Sequence, residues 1–207
     1  MKVAVVGGTG SFGQAVAKQL VAAGIEIVIG SRDAERAKEA AASLGAQGAS
    51  NEDAVRGVDL VLLAVKSEAA VETARELRAA IGTTPVLSVC AELRFGPGGV
   101  KPTTEATSIA ERIQAELDAP VVAGLHSLAA ASLADEPPDE DALVCGDDAE
   151  AKAVALELAA RLISGNAVDA GPLVSARALE GMTAVIVNVN KRYRAHAGLR
   201  VTGLPER

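Results

Sequence analysis

Aromatic side chains are nearly absent from this sequence. Only Phe12, Phe95 and Tyr193 occur among its 207 residues, and there is no Trp. Positive charge is also in short supply, since 27 acidic residues outnumber 20 basic ones and the formal net charge is −7. Binding to nucleic acids generally needs a basic surface or aromatic side chains on which bases can stack. The composition therefore argues against nucleic acid as a partner.

Cysteine is equally scarce. Cys90 and Cys145 stand alone, without a C-x-x-C pattern or a histidine at ligand spacing. We therefore expect no disulfide framework and no metal site, and two free thiols suit a reducing cytoplasm. Apolar runs stay well below the roughly 18 residues of a membrane span, and the N-terminus lacks the features of a signal peptide. The sequence predicts a cytoplasmic protein with no membrane partner.

Hydrophobic residues make up 49% of the chain, enough for a sizeable core. Short apolar runs predict strands at residues 2–6, 25–29, 46–49, 58–65, 86–89, 121–123, 142–145 and 167–169. Helical spacing predicts helices at residues 11–23, 34–44, 68–80, 105–117, 149–162 and 175–197, and a Gly- and Pro-rich loop is expected at residues 95–102. This alternation is typical of a parallel sheet covered on both faces by helices. We predict an α/β Rossmann-type, doubly wound parallel sheet over residues 1–140, followed by a small, mostly helical α/β domain over residues 141–207.

Three glycines form a G-x-G-x-x-G pattern directly after the first strand and at the start of the first helix. They are Gly8, Gly10 and Gly13. In this position the first glycine allows a tight turn, the second lets the backbone approach a pyrophosphate, and the third lets the helix pack on the strand. The free N–H groups of the helix then face the anion. A tight turn without a ligand is the alternative, but the flanking strand and helix favour a dinucleotide.

The end of the second strand indicates which dinucleotide. An acidic residue there would accept a hydrogen bond from the ribose 2′-hydroxyl, whereas cations accommodate a 2′-phosphate. This strand ends in Ser31 and Arg32, and Arg36 follows one helical turn later. Asp33 is better explained as the N-cap of the second helix. The pattern predicts NADP(H) in preference to NAD(H).

Few side chains in this sequence can carry acid-base chemistry. Of its two histidines, His196 lies in a polar stretch, whereas His126 follows a short strand at the rim where open α/β sheets bind ligands. The sequence has no Ser-His-Asp order, no H-E-x-x-H and no Tyr-x-x-x-Lys. Hydrolysis, metalloproteolysis and the acid system of the short-chain dehydrogenases therefore have no residues to carry them. We therefore predict no catalytic side chain.

Several segments together resemble one family, the NADPH-dependent coenzyme F420 reductases. They are residues 5–13 (VVGGTGSFG), 29–32 (IGSR), 123–130 (AGLHSLAA), 144–148 (VCGDD) and 169–173 (DAGPL). The resemblance covers nearly the whole chain in order. It implies a Rossmann domain that binds NADP(H), and a deazaflavin, coenzyme F420, that lies against the nicotinamide and exchanges a hydride with it directly and reversibly.

The resemblance also implies the residues that contact these two carriers. For NADP(H) they are Gly8, Thr9, Gly10, Ser11, Phe12, Gly13, Ser31, Arg32, Arg36, Ser67, Val71 and Ala130. For the deazaflavin and the nicotinamide edge they are Ala91, His126, Ser127, Leu128 and, near the C-terminal closing segment, Ala197.

Two other functions remain open from the residues alone. One is an NADPH-dependent imine or keto reductase of a small metabolite, in which Lys66 or His126 donates a proton. The other is an NADP-sensing protein without turnover. Under any of these functions, the spacing of Met182, Val185, Ile186 and Val189 predicts a buried apolar face on the last helix. Because Val187 adds an apolar residue on another side, we expect part of this helix to meet a second subunit in a homodimer.

Overall fold

The computed structural model describes residues 1–134 and 136–204 of the chain. The strands are β1 Lys2–Val6, β2 Glu26–Ser31, β3 Gln47–Ser50, β4 Leu60–Leu63, β5 Val86–Ser88, β6 Leu93–Gly96, β7 Gly99–Pro102, β8 Val121–Gly124, β9 Ala142–Gly146 and β10 Ala167–Asp169. The α-helices are α1 Ser11–Ala22, α2 Ala34–Ala42, α3 Asn51–Ala54, α4 Ser67–Ile81, α5 Ile109–Gln114, α6 Ala149–Ala160 and α7 Ala176–Tyr193. A short 3₁₀ turn, Leu173–Ser175, precedes α7.

Eight strands form one sheet in the order β10-β9-β8-β5-β4-β1-β2-β3. All neighbours are parallel except β8 and β9, which run antiparallel. The predicted α/β class with a mostly parallel sheet is therefore confirmed. The sheet continues across residue 140, because β9 and β10 extend its edge. The division into two domains at this point stays a prediction.

Both faces of the sheet are buried, as the nearly continuous apolar strands require. Along β1, the side chains of Val3 and Val5 enter one core, beneath α1, α2 and α6. Those of Ala4 and Val6 enter the other, beneath α4, α5 and α7. This alternation holds the carboxyl end of β1, and with it the glycine turn, rigidly between two packed layers.

Three local elements differ from the prediction. The helix expected at residues 105–117 is limited to α5, Ile109–Gln114. The expected loop at residues 95–102 is largely the hairpin of β6 and β7, in which Phe95 pairs with Val100. Gly98 and Gly99 adopt φ angles of 92° and 109°, which explains how a Gly-rich stretch forms a tight turn between two strands. The short helix α3 was not predicted, because a single turn has too few residues to show helical periodicity.

The last helix also corrects an expectation. Its apolar face is not fully buried: Val185 is 59% exposed, and Met182 and Ile186 are only partly buried. The inner face is formed instead by Leu179, which is buried in the core beneath the sheet. The periodicity correctly predicts a helix, but it does not indicate which apolar side of that helix the chain itself covers.

Candidate functional site

The glycine turn joins the carboxyl end of β1 to α1. A side chain on Gly8 would place its Cβ 2.8 Å from the Val5 carbonyl oxygen, and one on Gly13 would lie 2.7 Å from the Gly7 carbonyl oxygen. The predicted close packing of the third glycine is thus present. The left-handed conformation falls on Gly7, with φ of 84°, and not on the first glycine of the motif. Gly10 faces solvent and leaves the start of α1 open to an approaching ligand.

A cleft of about 350 Å³ lies beside this turn, at the carboxyl edge of the sheet. We call it the nucleotide cleft. It is lined by the turn after β1, the end of β2, the segment after β4, and residues of α2, α3 and α4. The lining residues are Gly7, Thr9, Gly10, Ser31, Arg32, Asp33, Arg36, Asn51, Ala64, Val65, Lys66, Ala69 and Thr73. The structure therefore brings Thr9, Ser31, Arg32 and Arg36 together as the sequence predicts.

Asp33 performs the capping role expected for it. Its side chain accepts hydrogen bonds from the backbone N–H groups of Glu35, at 3.0 Å, and Arg36, at 3.3 Å. Ser31 Oγ in turn accepts from the Asp33 N–H at 3.2 Å. The carboxylate is thus engaged with the helix start. Arg32 and Arg36 are exposed and form no ion pair within the described part of the chain, so their guanidinium groups are available to an anion in the cleft.

A second pocket of about 430 Å³ adjoins the nucleotide cleft. The two share Ala64, Val65 and Lys66, the three residues that connect β4 to α4. The rest of the second pocket is mainly apolar and is lined by Phe12, Val89, Cys90, Ala91, Leu93 and Phe95, together with Ser67 and Glu68. Two concave sites with different chemistry therefore meet along one short connection.

His126 lies behind the wall of the second pocket and does not line it. Its Nε2 is 3.2 Å from the carbonyl oxygen of Cys90, a residue that does line the pocket, while Nδ1 is buried without a partner in the structure. Burial lowers the pKa of His126 to about 4, although the contact with the Cys90 carbonyl opposes the shift. The neutral ring therefore donates from Nε2 to this carbonyl and fixes the backbone before Ala91.

The neighbours of His126 are also part of the protein interior. Ser127 Oγ donates to the Asp141 carbonyl oxygen at 3.3 Å, and Leu128 packs within the hydrophobic core. Leu125 precedes them with a positive φ of 64°, which marks a sharp turn at the end of β8. Of the segment expected at the deazaflavin edge, none of His126, Ser127 and Leu128 lines the second pocket, and His126 connects to it through Cys90.

The remaining predicted residues divide between several places. Ala91, Phe12 and Ser67 line the second pocket. Val71 lies one helical turn beyond Ser67, in an adjoining depression. Ala130 is partly buried beyond Leu128, and the Ala197 N–H donates to Asn190 Oδ1 at 2.6 Å, which ties the C-terminal segment to α7.

Several residues near the site were missed by sequence reasoning. On α4, the nucleotide cleft is lined by Ala69 and Thr73, which face it at helical spacing. Glu180 is buried in α7 and accepts hydrogen bonds from the N–H groups of Ile109 and Ala110 at the start of α5. Burial raises its pKa to about 7, although these two N–H groups lower it. No local signal marks Glu180, because its partners lie about 70 residues away.

Neither of the two thiols is reactive near neutral pH. Cys90 and Cys145 are both buried and free. Burial raises the pKa of Cys90 to about 12 and that of Cys145 to about 11, so neither is a nucleophile near neutral pH. Over residues 1–134 and 136–204, no three His, Cys, Asp or Glu side chains come together as metal ligands. In the same residues, no helix is both long and apolar enough to cross a bilayer.

Comparisons with known proteins agree on one family. Residues 2–92 match the family described as NADP oxidoreductase, coenzyme F420-dependent. The F420-dependent NADP reductase of Methanothermobacter thermautotrophicus is 34% identical over 224 positions, which cover 100% of this chain and 97% of the relative. That of Methanocaldococcus jannaschii is 34% identical and 99% of each protein is covered. A solved structure of a candidate F420-dependent NADP reductase from Arthrobacter sp. FB24 superimposes with a TM-score of 0.84 at 25% identity, over 98% of this chain and 100% of that one.

Proposed function

This chain belongs to the family of F420-dependent NADP reductases, and we propose that it passes a hydride directly and reversibly between NADP(H) and coenzyme F420 while both are bound. It is an oxidoreductase with these two carriers as its substrates. The observation that carries the proposal is the shared wall of Ala64, Val65 and Lys66 between the two pockets. Hydride transfer needs the reacting atoms to approach to about 3 to 3.5 Å, which adjoining pockets allow.

The nucleotide cleft suits the anionic half of this pair. The N–H groups at the start of α1 and the open approach over Gly10 suit the pyrophosphate of NADP(H). Ser31, Arg32 and Arg36 supply a hydroxyl and two unpaired guanidinium groups for the 2′-phosphate. The acid that NAD(H) would need at the end of β2 is engaged as a helix cap.

The second pocket suits a flat ring. Phe12, Val89 and Leu93 provide apolar contact, and Ala91 leaves room beside the wall that both pockets share. A ring bound against these apolar side chains would displace water from the reacting atoms. The two carriers supply the redox chemistry, so the protein needs only to bind and orient them. This agrees with a site in which His126 is neutral and occupied with the Cys90 carbonyl.

We also propose that the enzyme is a cytoplasmic homodimer. A groove of about 920 Å³ runs along α7 and is lined by Met182, Ile186 and two exposed valines, Val174 and Val185, which are 65% and 59% exposed. An apolar face of this size on a small protein favours a second copy of the chain as its cover. Light scattering should give twice the chain mass, and Val185→Glu should shift it to the monomer. A monomeric mass for the unaltered protein would refute the dimer.

Mixing experiments test the function itself. Purified protein with NADPH and oxidised F420 should lose both absorbance bands in a one-to-one ratio, and reduced F420 with NADP⁺ should run in reverse. NADH serves as the control and should react far more slowly. No turnover in either direction, with NADPH demonstrably bound, would favour reduction of a small imine or ketone instead.

A further inference from the structure

Two segments of this acidic chain contain no acidic residue at all. Residues 93–102 and residues 181–204 have neither Asp nor Glu, although the whole chain has 27. Within them lie five cations that share a further property: in the part of the chain that the structure describes, none forms an ion pair. They are Arg94, Lys101, Lys191, Arg192 and Arg194.

The fold brings these two segments together. The side chain of Asn188, on α7, accepts from the Val100 N–H at 2.8 Å and donates to the Val100 carbonyl oxygen at 2.7 Å. Three residues further along α7, Lys191 Nζ lies 5.6 Å from the centre of the Phe95 ring. The hairpin of β6 and β7 is therefore fastened to the second half of α7, and their cations form one surface.

Within the hairpin, two like charges stand opposite each other. Arg94 pairs directly with Lys101 in the antiparallel register, and both side chains are exposed. Like charges in this position are unfavourable for the isolated hairpin. Elsewhere in the described residues, exposed cations such as Arg56, Arg75 and Arg78 have acidic partners within 4.0 Å. An anion that binds from outside would remove this repulsion.

The surface that carries these unpaired cations adjoins the second pocket. Leu93 and Phe95, on the hairpin, line that pocket, and Arg94 lines a depression of about 280 Å³ beside it. Ser67, Glu68 and Leu93 are shared by the pocket and the depression, so the two are continuous. The other acid of the depression, Glu92, is paired with Arg112. A ligand that fills the second pocket and extends outward along the hairpin reaches Arg94 in this depression.

We propose that Arg94, Lys101 and Lys191 form a binding surface for the anionic tail of coenzyme F420, which we call the tail surface. The proposal rests on the function proposed above and extends it from the ring to the rest of the substrate. F420 is a deazaflavin whose side chain carries a phosphodiester and carboxylates. The unpaired cations of Arg32 and Arg36 serve the phosphate of one substrate, and the tail surface serves the anions of the other.

Such a surface acts on binding and leaves the hydride step unchanged. Exposed charges raise the rate of encounter and lower KM, and salt screens both effects. The tail surface therefore predicts that KM for F420 rises with ionic strength. A deazaflavin that lacks the phosphodiester and the carboxylates should show little dependence on salt.

The test compares F420 with its tailless precursor, the 8-hydroxy-5-deazariboflavin chromophore. In the triple variant Arg94→Gln, Lys101→Gln, Lys191→Gln, we expect KM for F420 to rise about tenfold, given about two- to fivefold for each exposed contact. The kcat with F420, the KM of the tailless compound and the Kd of NADPH should stay within about twofold. The matched control Arg78→Gln, Arg161→Gln removes two exposed cations far from the hairpin and should change neither KM.

Two outcomes would overturn the tail surface. An equal rise in KM for F420 and for the tailless compound would show that the variant disturbs the ring site. A KM for F420 that stays unchanged in the variant would show that the cations bind no tail. Failure of the proposed function is separately visible, because the unaltered protein would then reduce neither compound. Direct titration of F420 and of the tailless compound, followed by their fluorescence, measures the tail contribution without turnover.

Discussion

The nucleotide cleft and the second pocket lie side by side, yet they are assembled from different kinds of contact. The nucleotide cleft is built from residues within a few positions of a strand end, such as Thr9 after β1 and Ser31 at the end of β2. The wall of the second pocket depends on distant partners: Cys90 is held by His126, 36 residues away, and the hairpin by Asn188, 88 residues away from Val100.

This difference predicts how each site responds to change. The nucleotide cleft is formed at strand ends and is held rigid by the buried sheet. Substitutions of its lining residues should therefore alter nucleotide affinity through direct contacts. A pocket supported from behind should respond to residues that never touch the ligand. Four substitutions test the contrast, and the largest expected effect comes first.

Gly13→Val should be the most damaging change in the nucleotide cleft. A Cβ here would lie 2.7 Å from the Gly7 carbonyl oxygen and 2.8 Å from the Gly8 Cα, both backbone atoms that cannot move aside. We expect a loss of about 3 kcal/mol of unfolding free energy and no measurable NADPH binding. Gly96→Ala is the control, since nothing lies within 4 Å of its Cβ. Unchanged NADPH affinity in the Gly13 variant would contradict the geometry of the turn.

The pH dependence of stability tests whether a buried, neutral His126 supports the wall of the second pocket. Its pKa is about 4 in the folded protein against 6.5 ordinarily, so the unfolded chain binds the proton more readily between these values. Stability should therefore fall as the pH drops from 6.5 to 4, by about 2 to 3 kcal/mol relative to His126→Gln. Glutamine can still donate to the Cys90 carbonyl but does not titrate.

Comparison with the Gln variant is necessary because Glu180 acts in the opposite sense. Its raised pKa of about 7 means that stability is lost as the pH rises from 4.5 through 7. The difference between the two proteins in urea unfolding, measured at several pH values, isolates the histidine. Parallel pH curves for the two would rule out a buried neutral His126.

Arg32→Ala should weaken the binding of NADPH much more than the binding of NADH. Loss of one charge-assisted contact to the 2′-phosphate costs about 1.5 to 3 kcal/mol, so NADPH binding should weaken at least tenfold and NADH binding much less. Lys38→Ala, on the helix that follows Arg32 but paired with Glu35, is the matched control. Equal losses for both nucleotides would place the 2′-phosphate elsewhere.

Asn188→Ala should have the smallest effect and the most selective one. It removes both hydrogen bonds to Val100, a buried residue, and loosens the hairpin, at a cost of about 1 to 2 kcal/mol of stability. KM for F420 should rise while the Kd of NADPH stays constant. A change in NADPH affinity of the same size would show that the two sites are not independently supported.

Much of the fold was predictable because its signals are local. The apolar run after Lys2, the glycine turn and the helix that begins at Ser11 follow one another in a pattern that few other folds share. The antiparallel pairing of β8 with β9 was not predictable, since the direction of a short strand is set by the connection that precedes it. The hairpin at residues 93–102 was not predictable either, because its glycines are typical of loops and of tight turns alike.

The site followed the same division. Ser31, Arg32 and Arg36 were predictable from chemistry at a strand end, and the structure brings them into one cleft. The burial of His126 and its contact with Cys90 could not be predicted, because nothing within either segment specifies a partner 36 residues away. Exposure of Val185 is a third case: the sequence shows an apolar helical face but not whether the same chain covers it.

Deuterium transfer tests the central claim most directly. NADPH labelled at C4 of the nicotinamide, on one face and then on the other, is mixed with the protein and oxidised F420, and the products are analysed by mass. If the two rings meet across the wall formed by Ala64, Val65 and Lys66, one of the two labelled forms should deliver its deuterium to F420 with none lost to water. Reduced F420 without label from both forms, or deuterium released into the solvent, would contradict direct transfer.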